Sequence, residues 1–68
     1  MFGVLAEIVS INGVVGFAKD KDEIRRKLNN QWRMTGTWAI ALAAGNADEP
    51  MRTVATIDAS GNIFWEGN

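Results

Sequence analysis

Five short runs of this chain carry their apolar residues with the period of a β-strand, and one carries them with the period of a helix. Residues 4–11, Val-Leu-Ala-Glu-Ile-Val-Ser-Ile, are rich in β-branched side chains and predict a first strand. Asn12-Gly13 follows, and then Val14-Val15-Gly16-Phe17-Ala18. An Asn-Gly pair between two such runs predicts a hairpin with a type I′ turn, because both central residues of that turn take positive φ. On that register Ile11 pairs with Val14, Ser10 with Val15, Val9 with Gly16 and Ile8 with Phe17. Glu7, Val9, Ile11 and Val14 then share one face, and Ala6, Ile8, Ser10, Val15 and Phe17 the other. Neither face is polar.

Asp20-Lys21-Asp22-Glu23 has the form of a capping box, with Asp20 as N-cap and Glu23 reaching back. Ile24, Leu28 and Trp32 form one apolar stripe at helical spacing, and Gly36 is a stop signal. This predicts an amphipathic helix over 21–34, supported on its surface by Asp22–Arg26 and Glu23–Lys27 pairs at i,i+4. Residues 37–44 alternate cleanly, with Trp38, Ile40 and Leu42 on one side and Ala39, Ala41 and Ala43 on the other. The flanking Gly36 and Gly45-Asn46 favour a strand there over a second helix. Gly45 to Pro50 reads as a loop, and 52–57 as a β-branched strand. Asp58-Ala-Ser-Gly61 suits a type I turn, and 62–65 a short closing strand.

The order is therefore ββαβββ within one domain, residues 1–68. The expected class is α+β, a mostly antiparallel five-stranded sheet with one helix packed across a face. One helix covers only one side of such a sheet, yet no strand supplies a convincingly polar second side. Trp38 lies in phase with Ile40 and Leu42, and Trp32 with Leu28, so both read as core. The flat stripe of Ala39, Ala41 and Ala43 is then the face left for close approach by another backbone, most economically that of a second copy. A strongly coiled sheet that buries both faces within one chain is the competing arrangement.

Composition narrows the chemistry. In 68 residues there is no His, no Cys and no Tyr, beside three Trp and three Phe. The usual general base near neutral pH, the thiolate nucleophile and the nitrogen and sulfur ligands of metal sites are missing. No enzyme, no cofactor and no metal are expected. Seven basic and eight acidic residues give a net charge of −1, which is no footprint for nucleic acid or anionic lipid. The apolar first 18 residues lack a basic leader and contain Glu7, so they do not read as a signal peptide. Nothing approaches a membrane span. A cytoplasmic protein without membrane partners is expected.

The residues that could carry recognition are few. Arg25, Arg26 and Arg33, with Lys21 beside them and Arg52 elsewhere, form the basic set, and a solvated helix face accounts for most of it. Asp48 and Glu49 form an acidic pair before Pro50 that could present itself to a basic partner, whereas Asp58 is explained by its turn. Phe64 and Trp65 are adjacent on a strand, so one ring points inward and the other becomes an exposed anchor. The leading expectation is a non-catalytic protein-binding module acting by shape, an inhibitor or adaptor comparable in size to phage-encoded proteins that block host enzymes or defence complexes. Its partner would be another protein, with self-association as a dimer. Two alternatives rank below it: a nucleic-acid-binding domain using the basic helix face, and a binder of a small anionic ligand at a dimer interface.

Overall fold

The computed structural model describes residues 5–66. Its elements are β1 (Ala6–Ser10), β2 (Gly13–Ala18), α1 (Lys21–Thr35), β3 (Ala39–Ala43), β4 (Arg52–Ile57) and β5 (Ile63–Trp65). The strands form one five-stranded sheet in the order β2-β1-β3-β4-β5, with every neighbouring pair antiparallel. The helix carries the chain from edge strand β2 past β1 to β3, and packs on one side of the sheet. The α+β architecture expected from the pattern is the one observed. Val4, the first residue of the expected leading strand, lies outside the described residues.

The helix follows its sequence signals closely. Asp20 is the N-cap, and its carboxylate accepts from the Glu23 amide at 2.9 Å. Glu23 reaches back one residue further than a capping box requires and accepts from the Lys19 amide at 2.7 Å. That bond, with the charges of Lys27, Lys19 and Arg26, holds the Glu23 carboxyl below its ordinary value of 4.5. At the other end Gly36 takes φ 69° and donates to the Trp32 carbonyl, the left-handed cap that glycine adopts without Cβ strain. The expected Asp22–Arg26 pair does not form. Asp22 meets Arg25 at 3.8 Å, and Glu23 instead gathers both Arg26 and Lys27, at 3.6 and 3.7 Å.

The first hairpin is present, but on a different register from the expected one. Ser10 pairs with Gly13 and Val9 with Val14, so the two-residue loop is Ile11-Asn12. Only Gly13 takes positive φ there, at 93°, and no non-glycine residue among those described does. A type I′ turn needs two such residues, so it is excluded. The Ser10 hydroxyl accepts from the Asn12 amide at 3.1 Å, a local bond that fixes the alternative turn. A bulge follows: Ile8 pairs with Gly16, leaving Val15 without a partner, and Glu7 then pairs with Phe17. The bulge brings Phe17 and Val14 to the same face.

The helix covers the opposite side of the sheet from the one expected. Ala39 and Ala41 are 0% exposed and Ala43 is nearly so, in one buried cluster with Ala6, Ile8, Ala55, Ile57, Ile24 and Leu28. The alanine stripe is thus the floor beneath the helix and offers no surface to a second copy. Trp38, Ile40 and Leu42 face the other way. The reason is volume. Ile24, Leu28 and Trp32 bring bulk from the helix, and the alanines of central strand β3 leave room for it between Ile8 and Ile57 on the flanking strands. The sheet does not close on itself, so its second face remains open.

Candidate protein-binding face

The open face is laid out by the strand register. Directly paired residues of an antiparallel sheet lie on the same side. Val14 on β2 pairs with Val9 on β1, Val9 with Ile40 on β3, Ile40 with Thr56 on β4, and Thr56 with Phe64 on β5. These five residues form one row across the whole sheet. The neighbouring row is Phe17, Glu7, Leu42 and Thr53, one residue from each of β2, β1, β3 and β4. Thr53 and Thr56 share this side because a second bulge, at Val54, intervenes between them. Trp38 lies just before β3, in phase with Ile40 and Leu42.

This surface is apolar and open to water. Val14 is 55%, Phe17 49%, Trp38 41% and Phe64 54% exposed, while Val9, Ile40 and Leu42 are half-buried between them. Within the two rows the only charged residue is Glu7, flanked by Phe17 and Leu42. Contiguous exposed apolar surface rimmed by polar residues commonly marks an interaction site. A shallow depression next to Glu7 extends the patch toward Leu5, Met51 and Glu49.

Of the anchors expected from the sequence, Phe64 is the ring that faces outward. Trp65 turns to the helix side, where it packs against the core. The Lys21 ammonium and the Arg25 guanidinium lie over its ring, 5.3 and 5.4 Å from the centroid. Core packing and the two cations together account for this ring within the chain. The basic residues are dispersed. Arg25 is held by Trp65 and Asp22, Arg26 pairs with Glu23, and Arg33 sits exposed in the last helical turn, where it complements the helix dipole. Arg52 opens β4 opposite Ala43, beside Glu66.

Glu49 has a local duty as well as a position near the open face. Its carboxylate accepts from the Gly45 amide at 2.9 Å, and its own amide donates to the Asn46 carbonyl, which braces the β3–β4 loop. Asp48 is exposed on the same loop, its amide bonded to the Asn46 side chain. Val9, Val14, Phe17, Trp38, Ile40 and Leu42 lie on the open face, where the strand pattern alone does not place them. The available signal was size, since alternating alanines form a better floor for a helix than a Trp-Ile-Leu stripe does. Among the described residues no three acidic side chains come together to hold a metal ion, and no helix is long and apolar enough to cross a membrane. Compared with known proteins, the chain matches no family model, no curated protein and no solved structure.

Proposed function

We propose that this chain is a non-catalytic protein-binding module whose contact surface is the open face of its sheet. The observation that carries the reading is the row Val14-Val9-Ile40-Thr56-Phe64, with Phe17, Leu42 and Trp38 beside it, uncovered on a domain with one helix. A flat surface of this kind binds by shape, with aromatic side chains as anchors. It offers no cleft in which a reaction could be shielded from water, and the chain has no His or Cys to supply a base or a thiolate. Such a module acts by occupying its partner's surface, which is how an inhibitor or an adaptor works.

Photo-cross-linking tests this reading directly. Benzoylphenylalanine in place of Phe64 or Phe17, introduced in the cells that make the protein, should yield a discrete protein adduct, and Ile40→Asp should abolish it. Absence of any adduct from either position overturns the proposal.

A further inference from the structure

We infer that the occupant of the open face is a second copy of this chain, docked sheet to sheet about a two-fold axis running parallel to β3. The inference rests on the reading of that face as a protein-binding surface. It comes from the order in which polar and apolar residues cross the sheet. An axis lying between two stacked sheets and along the central strand exchanges left and right while keeping each row level. With the strand order β2-β1-β3-β4-β5, β1 of one copy then faces β4 of the other, β2 faces β5, and β3 faces itself.

Under that operation the first row is complementary to itself, and so is the centre of the second, where Phe17 reaches past the end of β5. In the first, Ile40 meets Ile40, Val9 meets Thr56, and the large ring of Phe64 meets the smaller Val14. In the second, Leu42 meets Leu42 and Glu7 meets Thr53. The single charged side chain of the two rows is thereby set against a hydroxyl donor, twice by symmetry. A carboxylate covered by apolar surface without such a partner costs more than the contact returns. An axis perpendicular to the strands does worse, because β1 then stacks on β1 and Glu7 meets Val9 or another Glu7. The rotation of roughly 30° between packed sheets displaces a position one strand from the axis by about 2–3 Å, within reach of a Glu side chain.

Size agrees with this arrangement. The thinnest dimension of the molecule, 17 Å, is that of one helix on one sheet, so the sheet lies in the 33 × 24 Å plane. Five strands about 4.8 Å apart and at most six residues long give the sheet a face of roughly 20 × 20 Å, at the small end of specific interfaces, which suits a dimer that forms at high concentration. The resulting assembly has two sheets inside and one helix on each outer side.

The test is sedimentation equilibrium of the full chain from micromolar to millimolar concentration, with two variants. Wild type should populate a dimer. Thr53→Glu sets a carboxylate against Glu7 of the other copy and should weaken the dimer at least tenfold. Glu7→Lys combined with Thr53→Glu should restore it. Within one copy these positions lie on opposite sides of β3, about 10 Å apart, so a restoration reports contact between copies. Circular dichroism of each variant checks that the fold is retained. A wild type that stays monomeric at millimolar concentration overturns the inference, and so does a double variant no better than Thr53→Glu. Cross-linking from position 64 separates the two levels. An adduct of twice the chain's mass supports the second copy. An adduct with a different protein from a monomeric wild type overturns the second copy and leaves the protein-binding reading standing. No adduct removes both.

Discussion

Trp32 and Gly61 share one space: a methyl group on Gly61 would lie 2.9 Å from a carbon of the Trp32 ring. The same indole donates from its Nε1 to the Ala59 carbonyl at 2.9 Å, so the last turns of the helix are clamped onto the β4–β5 turn. Gly61 also takes φ 89°, and its amide closes the turn on the Asp58 carbonyl at 3.0 Å. Gly61→Ala therefore meets two penalties at once, a strained backbone and a blocked ring. It should destabilise the fold by about 1–3 kcal/mol, read as a lower midpoint in urea unfolding. Unchanged stability would mean that the clamp is not formed.

The neighbours Ala41 and Ile40 should respond in opposite ways to the same substitution. Ala41 is fully buried beneath the helix, and Ile40 faces the open side. Ala41→Arg forces a long charged chain into a closed layer, where overpacking alone costs about 1–3 kcal/mol and the buried charge adds to it. No cooperatively folded protein is expected. Ile40→Arg should keep the far-ultraviolet spectrum and a cooperative thermal transition. The reverse outcome would put the helix on the wrong side of the sheet.

Glu23 ties stability to acid. Its folded carboxyl is held below the ordinary value of 4.5, chiefly by the hydrogen bond from the Lys19 amide. A depressed value means that the contribution is fully present above about pH 4.5 and is lost as pH falls through the lower, folded value. Glu23→Gln removes that contribution. The stability difference between wild type and variant should shrink on thermal scans as pH is lowered from neutrality through the folded value, which lies below 4.5. A difference that stays constant would show that the bond to Lys19 is not charge-assisted.

Lys21 and Arg25 over Trp65 define a small surface interaction of known type. Exposed cation–π contacts contribute about 0.5–1 kcal/mol each. Replacing both cations by Ala should lower stability modestly and weaken its dependence on salt, while Trp65→Ala, which also removes packing against Ala55 and the core, should cost more. Equal effects from the two changes would mean that the ring contributes little packing.

Much of this molecule is legible from local chemistry. The Asp20 cap, the Ile24-Leu28-Trp32 stripe and the Gly36 stop define the helix to within one residue, because each signal acts over a single turn of backbone. The Asp58–Gly61 turn is equally local: the Asp58 carboxylate accepts from the Ser60 and Asn62 amides, at 2.9 and 3.0 Å. The first hairpin is legible only in part, since the Ser10 hydroxyl and the bulge at Val15 reset a register that Asn12-Gly13 alone would have drawn differently.

What the sequence determined by itself is the set of elements, the helix caps and the two-sidedness of the unbulged strands β1 and β3. Alternation at 38–43 separates Trp38, Ile40 and Leu42 from Ala39, Ala41 and Ala43, but it carries no information about which set the helix will cover. Packing decided that, because the bulky helix stripe reaches closest contact on the alanine floor. The bulges at Val15 and Val54 then decided which β2 and β4 side chains join the uncovered side, placing Phe17 beside Val14 and Thr53 beside Thr56. The candidate binding face is a product of those two tertiary choices, since a local pattern fixes the period of a strand and only the neighbouring layer fixes its orientation.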